Sequence, residues 1–238
     1  MDVIILAAGQ SKRLKKITKD RPKCLVEVAG RTILERQLEA INCTKATKCI
    51  IVTGFMSEKI QEFVHNNHHE YSFDIELANN DLFSSTDNAY SLSVALERSK
   101  GPVIILDGDI IFEKGLLQKL FSDENENAML CDGSREPEAE DCKILASDGF
   151  AIRMGKKVGG QYIYTSMIKL GGGLLLEFIK ELNKDRKNKE WYSEPLDRLL
   201  TRHEKSIKIL FTDNYYRTEI DTEDDLMSAE SELTGRGL

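Results

Sequence analysis

Cysteine, proline and histidine are scarce in this 238-residue chain, and none of them is arranged for the tasks it performs elsewhere. The five cysteines (Cys24, Cys43, Cys49, Cys131, Cys142) are odd in number and scattered, with no Cys-x-x-Cys pair. That pattern excludes a disulfide framework and a zinc ribbon, and it suits small buried hydrophobes in a reducing compartment. His65, His68 and His69 crowd around Asn66 and Asn67 at the end of a helical pattern, where a solvated terminus is expected rather than a metal centre. With four prolines and no low-complexity tract, nothing marks an interdomain linker, so one domain over residues 1–238 is expected. Long apolar runs are also missing. Val3 to Ala8 is too short for a signal-peptide core or a membrane span, and no other segment approaches the ~20 apolar residues a span needs. A cytoplasmic protein without a membrane partner is the expectation.

Positive charge is not in surplus. The 33 basic side chains face 40 acidic ones, for a net charge of −7, which disfavours a nucleic-acid partner. A local exception lies in the N-terminal third, where Lys12, Arg13, Lys15, Lys16, Lys19, Arg21 and Lys23 gather. Such a cluster is either a solvated basic loop or a site for a small anion.

What the chain does contain is an alternation of short aliphatic runs with amphipathic stretches. Val3–Leu6, Cys49–Val52, Phe73–Ala78 and Val103–Leu106 read as buried strands, with helical periodicity around Leu34, Ile60 and Leu92 between them. Near-continuous aliphatic strands separated by helices imply a mostly parallel sheet covered on both faces, an α/β Rossmann-like fold. Ligands in such sheets sit beyond the carboxyl ends of the strands. The second half is less regular and predicts a mixed sheet. Lys143–Ala146 and Phe150–Met154 pair as an inserted hairpin across Ser147-Asp148-Gly149, on the side expected to receive a second substrate, and helices are expected from Leu174, Ser193 and Thr222.

Three segments carry chemistry. Leu6-Ala7-Ala8-Gly9 ends the first strand in small residues, which lets backbone N–H groups approach phosphates. Arg13 and Lys23 follow and are suited to neutralising them. A Walker-type loop and a Gly-x-Gly-x-x-Gly turn are both absent, which excludes a P-loop enzyme and a dinucleotide enzyme. Asp107-Gly108-Asp109 closes a buried strand with two carboxylates on one side, a pairing that suits Mg²⁺. Near the C-terminus, Glu219-Ile220-Asp221-Thr222 precedes an acidic helix start, where Asp221 or Thr222 is placed to act as N-cap. Tyr192, Glu194 and Glu219 offer an aromatic face and carboxylates suited to a cationic amine.

The combined pattern Leu-Ala-Ala-Gly-x-Ser-x-Arg-Leu, then Arg-Pro-Lys-Cys-Leu-Val-Glu-Val-Ala-Gly-Arg-Thr-Ile-Leu-Glu-Arg-Gln-Leu at 21–38, resembles the nucleotidyltransferase superfamily that activates sugar phosphates and phosphoalcohols. The Glu-Arg-Gln-Leu continuation is similar to the branch with phosphocholine and 2-aminoethylphosphonate cytidylyltransferases. The resemblance implies Mg²⁺ as cofactor on Asp109 and Asp221, with Asp107 near the nucleoside or the water shell. It implies a nucleoside contact from Asp87 and Asn88, although Asp87 stands where Asn is common. It implies Lys143 at the reacting phosphates, CTP as donor, and a small phosphate or phosphonate as acceptor. Gln161 and Thr165 depart from a Gly-Glu-Tyr-Ile-Gly pattern, which suggests an altered acceptor. A hexose 1-phosphate acceptor is the nearest rival. An Asp-x-Asp glycosyltransferase and a non-catalytic nucleotide sensor are further ones.

Overall fold

A computed structural model describes residues 1–14, 17–184 and 189–237, without the side chain of Lys12. Lys15, Lys16 and the Lys12 side chain of the basic cluster therefore lie outside the described residues. The first half contains β1 (Asp2–Leu6), the hairpin of β2 (Glu27–Val28) and β3 (Arg31–Thr32), α1 (Ile33–Asn42), β4 (Lys48–Thr53), α2 (Ser57–Asn67) and β5 (Asp74–Asn79). It continues through α3 (Asn88–Leu96), β6 (Val103–Asp107), β7 (Ile110–Phe112) and α4 (Lys114–Ser122). The second half adds β8 (Ala128–Asp132), β9 (Lys143–Ser147), β10 (Phe150–Gly155), β11 (Tyr162–Leu170), α5 (Gly172–Asn183), α6 (Ser193–Leu200), β12 (Lys208–Phe211), β13 (Arg217–Glu219) and α7 (Glu223–Arg236).

The strands β5, β4, β1 and β6 are parallel neighbours in that order. The chain leaves β1 toward β4 on one side and later returns to β6 on the other, so strand order reverses beside the carboxyl end of β1. Successive residues of β1 bury on opposite faces. Ile4 joins a core with Leu92 of α3, Phe178 of α5 and Leu196 of α6, whereas Val3 and Ile5 join one with Leu34 of α1, Ile60 of α2 and Leu117 of α4. Burial on both faces keeps β1, β4 and β6 largely aliphatic, whereas the edge strand β5 carries Asp74, Glu76 and Asn79 and is only partly buried.

Beyond β6 the sheet is mixed. β11 runs antiparallel to β6 and β8, β12 is parallel to β8, and β10 and β9 follow antiparallel. β9 then pairs back onto the start of β11 through Tyr162↔Ile144 and Ile163↔Lys143. Five strands thereby close into a ring whose mouth adjoins the end of β6. The expected hairpin is its rim: Ser147 pairs with Phe150, and Asp148 and Gly149 turn with φ of 52° and 79°, as a type I′ turn needs.

A third apolar cluster joins Leu14, Val28 and Ile33 to Ile111 of β7, Ile220, and Ala229 and Leu233 of α7. It fastens the C-terminal helix to the loop that follows β1. Fully buried Leu14 anchors the turn that carries Arg13, and its truncation to Ala costs about 2–5 kcal/mol by loss of such packing.

The elements expected from the sequence are present, with α2 ending at Asn67 and the histidines on its last turn and beyond, in solvent. Four elements go beyond that reading: the β2–β3 hairpin, and β7 and α4, which together bury Ile110, Ile111, Leu116 and Leu117. The cysteines divide: Cys24, Cys49 and Cys131 are buried, but Cys43 is exposed at the end of α1 and Cys142 half-buried. Among the described residues no helix is long and apolar enough to cross a membrane.

Candidate active site

A cleft of about 580 Å³ opens beside the carboxyl ends of β1 and β6 and reaches the mouth of the ring. Leu6, Ala8 and Gly9 line it, and no atom stands within 4 Å of where a Cβ on Gly9 would project. Ala7 turns into the core behind them and donates its N–H to Val52 O at 2.9 Å. The loop then enters a 3-10 turn, Lys12–Leu14, from which Arg13 extends into the cleft. A second 3-10 turn, Lys23–Leu25, buries Cys24 and directs Lys23 to the same place.

The Asp107-Gly108-Asp109 turn is fixed from several directions. Gly108 N donates to Leu6 O at 2.9 Å, and a Cβ on Gly108 would lie 2.6 Å from that oxygen, so only glycine allows this approach. Buried Gln37 of α1 donates from Nε2 to Asp107 O and Ile110 O at 2.9 and 2.8 Å. The Gln of the Glu-Arg-Gln-Leu segment thus holds the turn from behind. β13 pairs with β7, and Ile220 N donates to Asp109 O at 3.0 Å. This pairing sets Asp221 next to Asp109 despite their separation in sequence. Thr222, not Asp221, caps α7, in a reciprocal box with Asp225, which leaves the Asp221 carboxylate available to the cleft.

Lys23 Nζ lies 2.8 Å from Asp109 Oδ2 and 2.6 Å from Asp221 Oδ1, and Arg13 reaches Asp221 Oδ2 at 2.8 Å. Burial alone would lower the Lys23 pKa, but the two carboxylates outweigh it and hold the ammonium above its ordinary value. Asp107 is the opposite case. Burial, then the neighbouring Asp109 charge, push its carboxyl well above the usual range, and its Oδ1 is buried without a hydrogen-bond donor among the described residues.

The described residues gather no group of three or more His, Cys, Asp and Glu side chains that could hold a metal ion. Asp109 and Asp221 nevertheless present hard carboxylate oxygens around one cation position, where the Lys23 ammonium lies. That donor set fits Mg²⁺, which takes one or two carboxylates and completes its shell with water and phosphate oxygens.

At the start of α3, Asp87 caps the helix by accepting from Asn88 N at 2.9 Å, and Asn88 Oδ1 accepts from Tyr192 N at 2.8 Å. Both residues line the cleft, with Phe83 beside them. At the ring end, Tyr192 is buried, its hydroxyl 3.1 Å from that of Tyr164. Burial raises both phenols well above their ordinary pKa and moves the Cys142 thiol up to about 12, so all three are neutral there. Glu219 lines the same end, ion-paired with Arg217 and 3.4 Å from the Ser166 hydroxyl.

The structure places several residues singled out in the sequence away from this end. Lys143 is not brought to the cleft: it faces Gly155 across the hairpin, and its Nζ donates to the Lys156 carbonyl at 3.0 Å. Glu194 is exposed on the first turn of α6, away from the cleft wall. Gln161 and Thr165, the departures from the family pattern, do not line the cleft. Gln161 accepts from Ala146 N at 3.1 Å, and buried Thr165 donates to Leu130 O at 2.8 Å.

The cleft takes its cations from elsewhere. Lys156 lines it with Nζ 4.3 Å from the ring centre of Trp191, and Arg217 and Arg135 line it too. Ser166 arrives through a register slip in β11 between Tyr164 and Ile168, where it takes a φ of 61°. Bulges re-aim side chains in this way. Sequence reasoning missed these residues. The Gly155-Lys156 end of the hairpin and the Arg217-Thr218-Glu219 strand were the available signals.

Fold and cleft together define a nucleotidyltransferase-type α/β domain. Residues 3–199 match the MobA-like NTP transferase domain, and the chain belongs to that family. Among curated proteins it is similar to the CTP:phosphoglutamine cytidylyltransferase of Campylobacter jejuni, 28% identical over 173 residues that cover 66% of each chain. It is also similar to the CMP-5'-(3-aminopropyl)phosphonate synthase of Streptomyces rubellomurinus, 30% identical over 61% of this chain and 23% of that protein. The matches to these relatives thus span from about a quarter to about two thirds of their length. The same fold occurs in the CTP:phosphocholine cytidylyltransferase of Streptococcus pneumoniae, with TM-score 0.81, 19% identity and 98% of both chains covered. It occurs again in the inositol-1-phosphate CTP transferase of T. maritima, with TM-score 0.80, 20% identity, and 97% and 96% covered.

Proposed function

We propose that this protein is a Mg²⁺-dependent cytidylyltransferase that moves CMP from CTP to a small phosphate- or phosphonate-bearing acceptor. The observation that carries this reading is that Arg13 and Lys23 both ion-pair with the Asp109–Asp221 carboxylates in a cleft also lined by Gly9. The choice of CTP is supported by the cytidylyltransferases named among the relatives.

In the proposed reaction an acceptor oxygen attacks the α-phosphorus in line, the bond to the β-phosphate oxygen breaks, and pyrophosphate leaves. A phosphate or phosphonate oxygen is already ionised, so no general base is needed. Rate enhancement then rests on alignment and on charge neutralisation. Arg13 and Lys23 bind the triphosphate, while the Gly9 backbone allows its close approach. Asp109 and Asp221 would hold Mg²⁺, whose chemistry is to polarise the phosphoryl oxygens. Asp87 and Asn88 border the nucleoside. Lys156 and Arg217 offset the charge of the acceptor group at the ring end, in place of Lys143.

The test is pyrophosphate release in the presence of Mg²⁺, with each of CTP, UTP, GTP, ATP and dTTP crossed against 2-aminoethylphosphonate, phosphocholine and glucose 1-phosphate. Release with CTP and a phosphoamine is expected. Release only with a sugar phosphate keeps the reaction and replaces the acceptor. A folded protein that binds NTP and stays silent with all three acceptors points to another acceptor of this class or to a nucleotide sensor, and silence over a broad panel of phosphate and phosphonate acceptors overturns the reading.

A further inference from the structure

Lys23 occupies the position a divalent cation would need. With its ammonium on Asp109 Oδ2 and Asp221 Oδ1, and Arg13 on Asp221 Oδ2, the carboxylate pair is already satisfied by protein cations. The Lys23 side chain is only 10% exposed, so the fold and not the solvent keeps the charge there. Pro22 sets the extended entry to its turn, and buried Cys24 anchors the backbone beneath it. Two positive charges at contact distance repel strongly in a partly desolvated site. A metal ion and the Lys23 ammonium therefore cannot share both carboxylates.

We propose that Lys23 is an exchangeable internal cation that closes the Asp109–Asp221 pair to free metal until a nucleoside triphosphate arrives. The proposal rests on the nucleotidyl-transfer reading of the cleft. A triphosphate beside Gly9 and Arg13 gives the ammonium a second anionic partner within reach of its flexible four-carbon stem. The lysine moves to the phosphates, and the freed carboxylates take the metal that accompanies the nucleotide. Metal and nucleotide then bind with positive coupling, each raising the affinity of the other by the same factor. Free Mg²⁺ does not hold the site between turnovers.

The experiment measures Mn²⁺ binding without nucleotide, from the paramagnetic resonance signal of the free ion. The full-length wild type, Lys23→Met and Lys23→Met/Asp221→Asn are compared, with folding checked by circular dichroism. Lys23→Met should bind Mn²⁺ about tenfold tighter or more than wild type, since one adjacent positive charge is gone. The added Asp221→Asn change should abolish the gain. Equal or weaker Mn²⁺ binding by folded Lys23→Met overturns the proposal. Should Lys23→Met not fold, wild-type protein labelled with ¹⁵N-lysine provides a second arm. The Lys23 ammonium resonance should stay in place with Mg²⁺ alone and shift with Mg²⁺ plus CTP; a shift with Mg²⁺ alone, or none with both, overturns it. Neither arm needs turnover, so an enzyme silent with every acceptor leaves the result readable.

Discussion

Lys143 and Lys156 differ in where they send their charge. The first donates to the backbone of the second, and the second projects into the cleft. Lys156→Ala should therefore raise the acceptor KM about tenfold or more with the CTP KM unchanged, as loss of a charged contact implies. Lys143→Ala should have the smaller effect, and steady-state kinetics on the two variants checks the order. If Asp109 and Asp221 hold Mg²⁺ as proposed, Asp109→Asn and Asp221→Asn should each keep the fold and lower turnover at least ~100-fold, the scale of several kcal/mol of metal electrostatics; pyrophosphate release beside a circular dichroism spectrum reads both. Asp109 and Asp221 were reached through the resemblance of Asp107-Gly108-Asp109 and Glu219-Ile220-Asp221-Thr222 to family segments, since alone each reads equally well as a turn or a helix cap. Lys156, Arg217 and Ser166 were not visible, because strand pairing and a register slip bring them in, and those depend on residues far along the chain. Lys143 illustrates the same limit. Its position in a hairpin was legible, whereas the destination of a long flexible side chain was not.

At the scale of elements, α5 and α6 are tied by one buried carboxylate. Glu181 is paired with Arg202, Lys184 and Arg198, and the Arg202 contact leads in lowering its pKa from 4.5 to about 2. A carboxylate depressed in the folded state stabilises fully above its unfolded value and loses that contribution as pH falls through its folded value. Glu181→Gln should therefore lower Tm at neutral pH, and the gap to wild type should narrow below pH 4.5 and close toward about 2. Thermal melts across that range check it. Elements with strong periodicity, such as α1 behind its Thr32–Glu35 capping box, were legible for the reason that stabilises them. β7 was not, since three apolar residues after an Asp-Gly-Asp turn carry no period. α4 escaped for another reason: its Leu116, Leu117 and Leu120 follow directly on β7 without a capping side chain to announce a start.

For the whole molecule, the cleft draws its walls from both ends of the chain, so ligand binding should stabilise the domain globally. Mg²⁺ and CTP at about a hundredfold the dissociation constant add about 2.7 kcal/mol. For a chain of this size that corresponds to a rise in Tm of about 5–10 °C, measurable by scanning calorimetry. No change at saturating nucleotide would count against the binding site described. The parallel half of the sheet was legible because burial on both faces leaves a compositional trace. Closure of the five-strand ring was not, since it depends on the two-residue contact of β9 with β11.

Trp191 is the single tryptophan of the chain, 43% exposed at the rim of the cleft with the Lys156 ammonium over its ring. Indole emission responds to nearby charge and to water, so every photon emitted under selective excitation of this protein comes from one place beside the ring end. The molecule thus carries its own optical label, and the filling and emptying of that end can be timed in a stopped-flow instrument without attaching a dye.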